Sequence, residues 1–95
     1  MRFEWDEEKA IANEIRHGVR FEDARWAFAD AFGLDDYDES HSDRETRFQR
    51  IGMAEGTLVT VVYTMRRAEQ EEVYRLISAW PATRRERRVY EKGES

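Results

Sequence analysis

The apolar residues first recur at helical spacing and then, from about residue 46, at every second position. Phe3-Glu4-Trp5 alternates as a short strand would. Asp6 can cap a helix over about Glu7–His17, with Glu7 and Glu8 in the first turn, where the helix dipole favours negative charge. Ile11 and Ile15, with Ala12 beside them, give that helix a narrow apolar stripe, and Gly18 suits its C-terminal cap. A second helix is predicted over about Phe21–Ala31, presenting Phe21, Ala24, Ala27, Phe28 and Ala31 on one face with Trp26 at its side. Asp35–Asp43 reads as a strand end followed by an exposed acidic loop.

The period-two region holds a strand from Arg47 to Gly52, a turn at Glu55-Gly56 and the clearest strand of the chain, Thr57–Met65. Arg66–Glu71 is predicted to be a charged hairpin loop. Val73–Trp80 is apolar on both faces and reads as a central strand, with Pro81 ending its ladder. Thr83 and Glu86 then have the spacing of a capping box, which opens a last helix carrying Arg84, Arg85, Arg87 and Arg88. The fold class is therefore α+β: helices first, then an antiparallel meander of three or four strands, then a C-terminal helix, in one domain spanning 1–95.

Charge alters this picture more than composition does. The net charge is −5, yet residues 1–46 carry 6 basic and 14 acidic side chains, a balance of −8, while residues 47–95 carry 10 and 7, a balance of +3. An anion-binding surface is thus expected on the C-terminal half. The overall acidity argues against a protein that coats nucleic acid non-specifically. There is no cysteine, which excludes disulfides and thiol chemistry. No apolar run reaches a membrane span, so a cytoplasmic protein is expected.

One set of residues runs in order along nearly the whole chain: Phe3-Glu4-Trp5-Asp6, Lys9, Asn13, His17-Gly18-Val19, Phe21-Glu22 and Ala24, then Arg44 through Gly52 and Val59–Tyr63. Arg75-Leu76-Ile77-Ser78-Ala79 and Ala82 through Tyr90 complete it. Together these residues resemble the BrnT toxin family. The resemblance implies a RelE-like fold and a ribonuclease toxin of a type II toxin–antitoxin pair. The implied partner is a BrnA-type antitoxin with a ribbon-helix-helix domain, which neutralises the toxin and touches operator DNA on its behalf in a heterotetramer built around an antitoxin dimer. Trp80 and Pro81 stand where the family usually carries an arginine and often a further basic residue. That departure leaves a second reading open, a catalytically weakened toxin fold acting mainly as a binding module.

A ribonuclease without metal or other cofactor needs a group to accept the 2′-hydroxyl proton, cations for the dianionic phosphorane and a donor for the leaving oxygen. Arg75 is the leading cation, because it interrupts an apolar strand and a charge there must reach a partner or a concave surface; the plainer alternative is a salt bridge to a carboxylate. Arg47 is second, and Arg50 and Arg44 are read as solvated. Lys9 and His17, eight residues apart on one helix face, are a phosphate contact and an acid or base; a helix-end role for His17 competes. Arg84, Arg85, Arg88, Tyr90 and Trp80 are candidate RNA contacts, and Asp35, Asp36 and Asp38 candidate antitoxin contacts. Tyr63 is placed in the core by strand parity, as are Trp5, Phe21 and Phe28 by residue type. A metal site using His41 with Asp38 or Asp43 has little support, since it lacks the cysteines and further histidines such sites favour.

Overall fold

The computed structural model describes residues 1–39 and 45–93. Among them, β1 (Arg2–Glu4) leads into α1 (Glu7–His17), α2 (Phe21–Ala24) and a 3₁₀ turn over Arg25–Ala29. Then follow β2 (Leu34–Tyr37), β3 (Phe48–Ala54), β4 (Thr57–Ala68), β5 (Glu71–Pro81) and α3 (Arg84–Lys92). The strands form one sheet in the order β1-β5-β4-β3-β2. β2 to β5 are antiparallel, as the meander requires, and β1 joins the sheet parallel to β5, pairing Glu4 with Arg75. β4 stands in the middle of the sheet, and β5, the strand containing Arg75, is interior as expected, flanked by β4 and, over Val73–Arg75, by β1.

The helix ends are where local chemistry puts them. Asp6 Oδ1 accepts from the Glu8 and Lys9 amides at 2.9 and 3.2 Å, and Gly18 closes α1 at φ +73°, a conformation glycine adopts without steric cost. Thr83 and Glu86 exchange both capping-box bonds, at 3.1 and 2.8 Å. α1 is rotated from its expected orientation, however. Its buried residues are Ala10 and Asn13, and Ile15 is 81% exposed with Ile11 beside it. The second helix is also shorter than expected: α2 tightens into the 3₁₀ turn at Arg25, and Ala31 lies outside it, exposed.

The expected loop Arg66–Glu71 is instead the tip of a long hairpin. β4 runs on to Ala68 and turns at Glu69-Gln70, both at positive φ (53° and 68°), the backbone that a two-residue hairpin turn demands. Within β5 the register passes from Tyr63↔Leu76 to Val62↔Ser78, so Ile77 is the extra residue of a β-bulge. One face of the sheet packs Val59, Val61, Tyr63, Leu76 and Ala79 against Phe21, Ala24 and Ala27. On that face Phe3, Phe28, Phe48, Tyr63 and Tyr74 form a ring-to-ring cluster with centroids 5.0–5.8 Å apart. Trp5 lies at its margin, half-buried, 5.9 Å from the Phe21 ring. None of the helices is long and apolar enough to cross a membrane among the described residues.

Candidate active site

The opposite face of the sheet is laid out in rows by the strand register, because cross-strand partners project to the same side. The first row runs from Glu4 through Arg75 to Thr64. Asp38 N–H donates to the Arg47 carbonyl at 2.8 Å, one step past Tyr37↔Phe48, and the β3–β4 register, continued by one residue beyond its last pair Phe48↔Tyr63, leads from Arg47 to Thr64. Arg75 and Arg47 therefore flank Thr64 in one row, about 10 Å apart between backbones, or two inter-strand spacings. The second row is Ser78–Val62–Gln49–Asp36 and the third Trp80–Thr60–Ile51–Leu34. The bulge at Ile77 makes this layout possible. Were Ile77 paired as an ordinary strand residue, Arg75 and Ser78, three positions apart, would face opposite sides of β5.

Arg75 is tied down but not hidden. Its Nη1 lies 3.3 Å from Glu4 Oε2, Arg66 approaches Glu4 Oε1 at 3.0 Å, and the Arg75 side chain keeps 42% of its surface exposed. Burial raises the Glu4 carboxyl, but Arg66 and Arg75 outweigh it and hold Glu4 below the usual carboxylate range. Arg47, with 25% of its side chain exposed, lies 3.6 Å from Glu45.

Lys9 and His17 do share one cleft, beside the stretch of β5 that β1 leaves unpaired. It is lined by Lys9, Ala12, Asn13, Arg16, His17, Ile77 and Ser78. Its floor is the Asn13 carboxamide, which donates to the carbonyls of Val19 (3.0 Å) and Ala79 (2.9 Å) and accepts from the Ala79 amide (3.0 Å) and the Ser78 hydroxyl (3.1 Å). A side chain thus does the work of a neighbouring strand. The His17 ring stands 6.0 Å from the Trp80 ring.

α3 covers the third row. Glu86 Oε1 accepts from Thr60 Oγ1 at 2.9 Å and from the Trp80 indole at 3.1 Å, and at the other end Tyr90 donates to Asp30 Oδ2 at 2.7 Å. Arg84, Arg85 and Arg88 are exposed, and Trp80 and Tyr90 half-buried. Burial raises the Asp30 carboxyl, but bonds from Tyr90 and the Met53 and Phe32 amides prevail and keep it low; the same Tyr90–Asp30 bond pushes the phenol up.

Three residues differ from their sequence reading. Arg50, expected in solvent, is a structural hub: it donates to the carbonyls of Ala27 (2.8 Å) and Asp30 (2.9 Å), pairs with Asp35, and lies 5.5 Å over the Phe28 ring. Asp35 is accordingly occupied, since it also accepts from Tyr63 at 2.5 Å; burial and that bond drive the Tyr63 phenol far above its usual range. Asp38, expected in an exposed loop, is 4% exposed, because it sits against Arg47 at the end of the ladder. Of the three candidate antitoxin contacts only Asp36 is both exposed and on the open row face; Asp38 shares its parity but is buried. Arg44, His41 and Asp43 fall outside the described residues.

Glu4, Asn13 and Gln49 received no site role from sequence, and Glu86 only its capping-box role. Asn13 carried a signal, its spacing of four from both Lys9 and His17; the other three depend on a register that no single strand reveals. A family model described as "Ribonuclease toxin, BrnT, of type II toxin-antitoxin system" matches residues 5–86, and no curated protein matches the chain.

Proposed function

The chain belongs to the BrnT family of ribonuclease toxins of type II toxin–antitoxin systems, and from that premise we propose that it is a metal-independent endoribonuclease whose centre is the Arg75–Thr64–Arg47 row. The observation that carries this reading is the pairing of two half-exposed or partly exposed arginines across one open row, spaced to clasp a phosphate from both sides. In the reaction the 2′-oxygen of the RNA attacks the adjacent phosphorus and the P–O5′ bond breaks. The products are a 2′,3′-cyclic phosphate and a 5′-hydroxyl. Arg75 and Arg47 stabilise the charge gathering on the phosphorane, and His17, with Lys9 beside it, serves proton transfer at the β5 edge. Arg84, Arg85, Arg88, Tyr90 and Trp80 guide the flanking strand.

Cleavage of total RNA in EDTA tests this. Arg75→Ala is expected to lose about 100- to 1000-fold in rate with an unchanged circular dichroism spectrum, the usual cost of removing one electrostatic stabiliser. Full cleavage by that variant would overturn the assignment.

A second reading, a weakened toxin fold acting in an antitoxin–operator complex, is favoured by the Glu4–Arg75 pair and by Trp80, whose indole N–H is spent on Glu86. An inactive natural chain that regains cleavage on Trp80→Arg would establish it. In both readings the partner is a BrnA-type ribbon-helix-helix antitoxin, assembled as a heterotetramer in the cytoplasm and meeting the acidic β2 edge of Asp35, Asp36 and Asp38. Asp36→Asn is the clean variant, since Asp35 belongs to the Arg50–Tyr63 network and Asp38 is buried. Antitoxin affinity indifferent to both Asp36→Asn and salt would exclude this docking mode.

A further inference from the structure

Between α3 and the β2–β3 half of the sheet lies a cavity of about 590 Å³, lined by Leu34, Asp36, Gln49, Ile51, Thr83, Arg85, Glu86 and Val89. Its volume is within the roughly 300–1,000 Å³ of small-molecule clefts. Leu34 and Ile51 on the sheet and Val89 on α3 give it apolar walls, and Asp36 and Glu86 give it carboxylates. Such a lining repels a phosphate and suits a flat, apolar-faced group that carries hydrogen-bond donors on its edge. A nucleobase is such a group.

The register fixes where this cavity stands relative to the arginines. Gln49, the second residue of β3, stands two positions after Arg47 in the alternation of the chain, in the row directly beside Arg75 and Thr64. Same-face residues on one strand are about 7 Å apart, the separation between a phosphate and a base of the same nucleotide being similar. Gln49 is half-buried and its carboxamide has no hydrogen-bond partner among the described residues, whereas the polar side chains around it on this face are engaged: Thr60 with Glu86, Ser78 with Asn13. Arg85 at the rim is exposed and placed for the phosphate that follows.

We propose that this cavity is the subsite for the base next to the cleaved phosphate, and that the Gln49 carboxamide reads its hydrogen-bonding edge. The inference rests on the ribonuclease reading, and it makes Gln49 the determinant of sequence preference. Leu34, Ile51 and Val89 hold the plane of the base, and Asp36 favours bases bearing an amino group.

Two measurements separate this inference from the reading it rests on. In the first, tetranucleotides differing in one base beside the cleaved bond are digested by the natural chain and by Gln49→Ala. The natural chain is expected to discriminate among them about 10- to 100-fold and the variant to flatten that preference while still requiring Arg75. An unchanged preference in a natively folded variant overturns the subsite. In the second, 2′-deoxy tetranucleotides, which cannot be cleaved through a 2′-hydroxyl, are titrated into ¹⁵N-labelled protein. The Gln49 side-chain amide signals are expected to shift with one base more than with the others. Shifts there without cleavage of RNA would uphold the subsite and sink the nuclease reading. Shifts confined to the Arg75 row, or none, would sink the subsite.

Discussion

Asn13 makes four hydrogen bonds from one half-turn of α1, and they hold the unpaired stretch of β5 on which Ser78 and Trp80 stand. Asn13→Ala would leave buried backbone groups of Val19 and Ala79 without partners. We expect it to cost about 1–3 kcal/mol of stability, seen as a lowered denaturation midpoint. Asp30 offers a pH test. Its carboxyl is held below its ordinary value of 3.8, so the folded state is favoured above that value and the advantage is lost as pH falls through the folded-state value. Asp30→Asn should therefore flatten the acid limb of the stability curve below about pH 4 while lowering stability at neutral pH, measured by denaturant titration across pH. At this scale the sequence disclosed caps and strong apolar anchors, since Asp6, Thr83 and Phe21 act through neighbours in the chain or through size alone. It concealed Arg50, whose three acceptors come from residues 15 to 23 positions away.

Among the elements, β3 and the 3₁₀ turn approach so closely that a Cβ at Gly52 would stand 2.6 Å from the Ala27 carbonyl oxygen. Backbone cannot yield as a side-chain tip can. Gly52→Ala is expected to destabilise the fold by roughly 1–3 kcal/mol, as overpacking does, detectable by thermal unfolding. The period-two pattern located β3 and β4 because their apolar residues alternate, and β5 showed as a continuous apolar run. It misjudged the Arg66–Glu71 tip, where Arg67 and Ala68 stand opposite Glu72 and Glu71 at the end of a hairpin that needs no apolar face. It also could not register the Ile77 bulge, since a strand apolar on both sides looks the same before and after a shift of phase. Deleting Ile77 would let Leu76 and Ser78 pair as ordinary neighbours with Tyr63 and Val62, leaving Ser78 and Trp80 on the open face. We expect such a protein, like Ile77→Val, to keep its near-ultraviolet circular dichroism, whereas Ser78→Leu, which places an apolar side chain on the Asn13 carboxamide, weakens it.

Across the whole molecule the sequence's charge asymmetry becomes a division of labour: Arg47, Arg75 and the arginines of α3 lie around one sheet face, Arg50 braces the other, and the acidic β2 strand closes the outer edge. The family and the α+β class were legible because they depend on element order. The candidate site was half legible, as single cations and not as rows, because rows exist only once four strands are in register. The attachment of α3 carries a further consequence. No residue of α3 is buried, and the helix hangs from Thr60 and Trp80 at one end and Asp30 at the other, while the strands beneath it are set in the core. Its amides should exchange with deuterium through local opening, well before those of β4. The ceiling over the second and third rows can then lift without the foundations moving, so that admission of a bulky guest and endurance of the fold answer to separate sets of residues.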